Sequence, residues 1–86
     1  MILIMDAKQI EHLKGLCVIN LTKNIMEKYS LNHEEAYKKL LVSEIYKILM
    51  NDESNLYNET DDYLQTAIQI ELTQGKEKLY EYLGKE

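Results

Sequence analysis

Residues 43–64 run Ser-Glu-Ile-Tyr-Lys-Ile-Leu-Met-Asn-Asp-Glu-Ser-Asn-Leu-Tyr-Asn-Glu-Thr-Asp-Asp-Tyr-Leu. The stretch decides the fold because a helical pattern stops inside it, a polar and acidic run intervenes, and the pattern resumes. Asn51-Asp52-Glu53-Ser54-Asn55 is a loop by composition. Leu56 and Tyr57 stand apolar within that polar run. They either anchor the loop to the core or offer a contact to a partner.

Toward the N-terminus, two helices are expected before this junction. Asp6 is an N-cap, and Gln9 three residues on completes a capping box. Ile10, Leu13, Cys17, Leu21 and Ile25 then repeat at steps of three and four, which is one helix face. Leu16, Val18, Ile19 and Met26 lie off that stripe, so the helix is apolar on more than half of its circumference. This predicts a central helix of a bundle, or one with a second face buried at a dimer contact. Gly15 inside it is a tolerated glycine or the mark of a close helix crossing.

Ser30-Leu31-Asn32-His33-Glu34-Glu35 is punctuation. Asn32 caps, Glu35 returns a bond, Leu31 and Ala36 are placed for a hydrophobic staple, and two acids suit the helix dipole. The second helix directs Ala36, Tyr37, Leu40 and Leu41 inward, with Lys38 and Lys39 outward. It either continues through Ser43 or gives way to a new helix capped by Ser43. A break near Val42-Ser43 is expected, because Val is a weaker helix former and Ser competes for backbone bonds.

Beyond the junction, Asn58 or Thr60 caps a helix that carries Leu64, Ala67, Ile68 and Leu72 on one stripe, flanked by Tyr63 and Ile70. Gly75 fits a position just past its end. Residues 76–83 form a last short helix with Leu79, Tyr80, Tyr82 and Leu83, ended by Gly84. The prediction is a single all-α domain, a compact bundle of four or five short helices.

Composition agrees. There is no Pro and there are only three Gly among 86 residues, too few turn formers for an all-β fold. Met1-Ile-Leu-Ile-Met5 is too short for a signal-peptide core and lacks a basic start. It is expected to be a short apolar cap on the core or a partner contact, unless Met5 is the true start. No run approaches the ~20 apolar residues of a membrane span. One cysteine, Cys17, cannot form an internal disulfide, which fits a reducing, cytoplasmic setting.

The net charge of −5 is unevenly placed. Residues 1–50 sum to +1 and residues 51–86 to −6. The acidic half repels phosphates and anionic membranes. All ten basic residues are Lys, so the guanidinium fork that reads guanine or phosphate is missing. DNA binding through Lys38, Lys39 and Lys47 on the helix pair at 33–50 is the weakest of the readings.

Chemistry finds few residues to use. His12 and His33 with one core-facing cysteine make no zinc set, and nothing is spaced to activate Cys17. In a calcium-loop register starting at Asn51, the oxygen positions fall on Asn51, Glu53, Asn55, Glu59 and Asp62. The first ligand is not Asp, the sixth position is Leu56 where Gly is needed, and the twelfth is Asp with its short arm. A solvated loop with helix-cap acids accounts for the same residues. No nucleophile elbow or phosphate loop is present. Neither catalysis nor a cofactor or metal is expected. Seven tyrosines supply every aromatic side chain, and Tyr37, Tyr46, Tyr63 and Tyr80 suit core edges with hydroxyls reaching water.

Ala36-Tyr37-x-x-Leu40-Leu41-x-Ser43-x-x-Tyr46-x-x-Leu49-Met50-x-Asp52-Glu53-Ser54-x-Leu56-Tyr57 is similar to a pattern in small uncharacterised all-helical proteins of Firmicutes. Thr73-Gln74-Gly75 after a helix resembles the short motif of such families. The resemblance covers about residues 32–83 and departs in having no aromatic larger than Tyr at 57. It implies a helical domain often encoded beside toxin-like proteins, hence an antitoxin-like or regulatory role. It names no site residues.

The function expected is that of a small protein-interaction module whose acidic half, residues 51–62 with Glu71, Glu77 and Glu81, faces a basic protein partner. Leu56, Tyr57, Glu59, Asp61 and Asp62 are the candidate partner-binding residues. The alternative is a structural homodimer through Leu16, Ile19 and Met26.

Overall fold

The computed structural model describes residues 6–84; the apolar segment 1–5, with its expected role as a cap or contact, lies outside the described residues. Among the described residues five α-helices follow one another: α1 Ala7–Tyr29, α2 His33–Leu41, α3 Glu44–Met50, α4 Asp61–Gln74 and α5 Lys76–Gly84. Two short 3-10 turns, Asp52–Ser54 and Leu56–Asn58, fill the junction between α3 and α4. No strand occurs among the described residues. The chain is an all-α bundle, although α1, at 23 residues, is not short.

Each helix start is fixed by its own side chains. The Asp6–Gln9 and Asn32–Glu35 capping boxes both form, satisfying backbone N–H groups that have no partner within the helix. The α1 end is a left-handed turn at Ser30 (φ 54°), and the Leu31 N–H reaches back to Met26 O at 3.1 Å, the long bond of a Schellman end. The chain breaks between α2 and α3 where Ser43 was expected to break it. The Ser43 Oγ accepts the Tyr46 N–H at 3.2 Å and donates to Leu40 O at 2.6 Å, serving both helix ends. Thr60, not Asn58, caps α4 through the Tyr63 N–H.

The core is the stripe Cys17, Leu21 and Ile25 of α1 against Ala36 and Leu40 of α2, Ile45 and Leu49 of α3, Leu64, Ala67 and Ile68 of α4, and Leu79 of α5. α1 packs against α2, α3, α4 and the second 3-10 turn. It is therefore the central helix by contact, yet it leaves Leu16 and Ile19 exposed at 43% and 52%. Met26 is half-buried against the core and does not join them.

The expectation for α2 is half right. Ala36 and Leu40 are buried, but Tyr37 and Leu41 are exposed. At 100° per residue they stand on the flank of a nine-residue helix that turns only its Ala36–Leu40 line to the bundle. Tyr37 stacks on His33 instead, with ring centroids 6.1 Å apart. Among the expected core-edge tyrosines, Tyr46 and Tyr63 are half-buried against the core, whereas Tyr80 is exposed.

A tertiary tie the sequence did not suggest joins α4 to α3. Both oxygens of Glu71 accept backbone N–H groups at the start of α3, from Glu44 at 2.6 Å and Ile45 at 2.9 Å. Glu71 thus caps another helix at its positive end and, contrary to expectation, does not belong to the acidic surface.

The glycines differ in kind. A side chain at Gly15 would meet nothing within 4 Å, so no close crossing occurs there. Gly75 joins α4 to α5 at φ 95° and ψ 169°, a region open essentially to glycine alone. Opposite signs are predicted: Gly15→Ala stabilises by up to about 1 kcal/mol through helix propensity, and Gly75→Ala destabilises by about 1–3 kcal/mol. Urea denaturation of both variants checks this.

Candidate functional site

The junction is built on two buried side chains. Leu56 and Tyr57 are each 6% exposed and belong to the core. The backbone around them closes on itself: the Asn58 N–H bonds to Asn55 O at 3.1 Å and the Glu59 N–H to Leu56 O at 3.0 Å. Asn55 adopts φ 57°, a left-handed conformation that asparagine tolerates, and turns the chain inward between the two 3-10 turns. The Ser54 hydroxyl bridges Ile48 O and Asn51 O and receives the Leu56 N–H.

Lys14 reaches the same place from α1. Its ammonium donates to Met50 O at 3.0 Å, pairs with Asp52, and sits 5.8 Å from the centre of the Tyr57 ring. An ammonium so enclosed bridges the end of α3, the loop acid and an aromatic face. Beneath it, the Cys17 thiol points at Tyr57 O, 3.8 Å away. Burial, aided by the Asp61 carboxylate, pushes this thiol above its ordinary pKa, so it remains a protonated small hydrophobe.

The candidate residues therefore divide. Leu56 and Tyr57 lie inside and hold the surface; Glu59, Asp61 and Asp62 lie outside and exposed at the start of α4. Of the two roles open to Leu56 and Tyr57, anchoring is the one their burial supports. Glu53 is exposed on the same junction. Among the described residues, Glu53, Glu59 and Asp62 have no lysine partner. Glu81 pairs with Lys78, and Glu77 is exposed on α5. The oxygens of the calcium register are turned to local tasks: Asn51 accepts the Glu53 N–H, and Asn55 accepts from the Tyr57 hydroxyl. No three His, Cys, Asp or Glu side chains gather as a metal-holding group among the described residues. His12 and His33 are both exposed.

The three lysines of the α2–α3 pair are engaged. Lys38 pairs with Glu34, Lys47 with Glu44, and Lys39 lies 5.6 Å over the Tyr29 ring. No helix among the described residues is long and apolar enough to cross a membrane.

A second feature is polar. Asn24 interrupts the apolar stripe of α1 and is only 9% exposed. Its carboxamide donates to Gln65 Oε1 at 3.2 Å and accepts from Gln69 Nε2 at 2.7 Å, while Gln65 donates to Asp61 at 2.7 Å. Asn24, Gln65 and Gln69 line a groove of about 330 Å³ between α1 and α4, with Lys28, Thr73 and Gln74 at its far end. Its residues lie outside the candidate set expected from the sequence. The available signals were a lone asparagine within an apolar stripe and the Gln65, Gln69, Thr73 spacing on one flank of α4.

No family model, curated protein or solved structure matches the chain.

Two outcomes follow from the geometry. A domain of this size holds roughly 5–10 kcal/mol of stability, and Leu56→Ala alone is expected to cost about 2–5 kcal/mol. The Leu56→Ala, Tyr57→Ala double variant should therefore lose most of its helical circular dichroism at 37 °C. Retention of a wild-type melt would return both residues to the surface.

The second outcome concerns Glu44, whose carboxylate accepts from the Tyr80 hydroxyl at 2.6 Å and from Lys47 at 3.3 Å. These bonds, Tyr80 first, hold Glu44 below its ordinary pKa of 4.5, and the same bond raises Tyr80 above 10.0. The Glu44 contribution is present above pH 4.5 and is lost as pH falls through its depressed folded value. The Tyr80 contribution is present below pH 10.0 and is lost as pH rises through its raised value. Tyr80→Phe should thus lower the urea midpoint at neutral pH, with the difference from wild type shrinking at both extremes.

Proposed function

We propose that the chain is a small protein-interaction module that works by shape and charge, without chemistry, and presents the acidic rim Glu53, Glu59, Asp61 and Asp62 to a basic protein partner. One observation carries this reading: exposed carboxylates without lysine partners among the described residues stand on a junction whose backbone is fixed from below by Leu56 and Tyr57. Fixed charges retain their arrangement on encounter, so little side-chain and loop entropy is lost when a partner docks. Complementary charge at such a rim raises the association rate more than the affinity. The resemblance to small helical proteins encoded beside toxin-like genes supports an antitoxin-like role for the module, with the toxin-like neighbour as the basic partner.

The test is co-purification with the product of the adjacent gene, followed by stopped-flow association. Glu59→Lys, Asp61→Lys and Asp62→Lys together are expected to slow association by about tenfold or more at low salt and to flatten its salt dependence. An unchanged rate with the fold intact would contradict the reading.

A second reading rests on Leu16 and Ile19, exposed on the outer face of α1. A homodimer would bury them across a two-fold axis. Sedimentation at several concentrations decides: a monomer throughout ends this reading, and Ile19→Lys should dissociate any dimer found.

A further inference from the structure

The groove between α1 and α4 goes beyond the acidic rim, and its residues are of another kind. A carboxamide presents a donor and an acceptor side by side, as a single residue of an extended peptide does along one edge. Asn24, Gln65 and Gln69 form a continuous chain of such groups starting from Asp61. Asn24, almost wholly buried, is fixed on both sides, so the rail is held before any ligand arrives. Its capacity is not exhausted. Among the described residues the Gln69 Oε1 accepts no bond, and each of the three amides keeps an N–H beyond those used within the rail. The Thr73 hydroxyl donates to Gln69 O at 2.7 Å and retains its acceptor lone pairs.

Spacing selects the ligand. Gln65, Gln69 and Thr73 recur every fourth residue on α4, a rise of about 6 Å per step. An extended peptide repeats the same edge every second residue, about 6.6 Å apart. The rail therefore stays in register with the N–H and C=O pairs of alternate residues over about four residues. A helical peptide, whose own N–H and C=O groups are already paired, offers no such edge.

The two ends differ in charge. α1 and α4 run in the same sense, since Lys14 meets Asp52, Cys17 meets Tyr57 and Asn24 meets Gln65 and Gln69. Lys28, beside Thr73, therefore lies at one end of the groove, and Asp61, one turn of α4 before Gln65, stands just beyond the other.

We propose that this groove binds an extended peptide segment of a partner chain, gripped through alternate main-chain amides by Gln65, Gln69 and Thr73, the first two held in place by Asn24, with a basic residue at the Asp61 end and an acidic one at the Lys28 end. Asp61 is shared with the acidic rim, so the decisive variants lie outside it.

The test is selection of short random peptides on the full 86-residue chain, followed by N-methylation of each backbone nitrogen of an enriched peptide in turn. Methylation at alternate nitrogens should weaken binding by about tenfold and at the intervening ones hardly at all. Thr73→Ala should weaken it without moving the melt, whereas Gln69→Ala, which also strips Asn24 of a bond, should weaken it and lower the melt. In the unaltered protein, the side-chain amide resonances of Asn24, Gln65 and Gln69 should shift on titration. Enrichment of no peptide, a methylation profile without alternation, or shifts confined to Glu59 and Asp62 would overturn the proposal. The last of these would leave the rim reading standing.

Discussion

The burial of Leu56 and Tyr57 is the constraint on which the rest depends. Between α3 and α4 the chain carries ten residues, 51–60, of which only these two are apolar. Without them the junction would be a solvated loop, and α4 would lose its fixed start against α1. With them inside, the two 3-10 turns close and Thr60 is brought to where it caps α4. Lys14 reinforces the same point from above. Its charge is compensated by Asp52, Met50 O and the Tyr57 ring, so its enclosure does not leave an unpaired ion.

The polar ties have a different role from the apolar core. Leu21, Ile25, Leu40, Ile45 and Leu49 supply non-directional attraction that many packings could satisfy. Asn24 with Gln65 and Gln69, and Glu71 on the start of α3, are directional. A slide of α4 along α1 would strand a nearly buried carboxamide, and a slide of α4 past α3 would uncover two backbone N–H groups. Each such loss costs about 1–3 kcal/mol. Together they fix the register of α4, and with it the positions of both the acidic rim and the amide groove.

Local signals were legible where one residue serves its immediate neighbours. The Asp6 and Asn32 caps, the break at Ser43, the glycine after α4 and the main core stripes are all i to i+3 or i+4 relations, and the chain displays them directly. What was not legible joins residues far apart in sequence. Nothing about Glu71 marks it as the cap of a helix 27 residues earlier. Lys14 meets Asp52 across 38 residues. Tyr37 and Leu41 depart from expectation for a related reason: periodicity shows which side of α2 is apolar, but not how wide a face the neighbouring helices cover. The candidate site was legible as a place and not as a division of labour. Its acids are outside as expected, while its two apolar residues form the foundation.

The central claim is that residues 51–62 form a rigid, pinned platform and not a loop. Native-state hydrogen exchange at the Leu56, Asn58 and Glu59 amides tests it most directly. These N–H groups bond within the junction, so protection approaching that of the core amides of α3 and α4 is predicted. Exchange at the rate of an unstructured segment, with α3 and α4 still protected, would contradict the account.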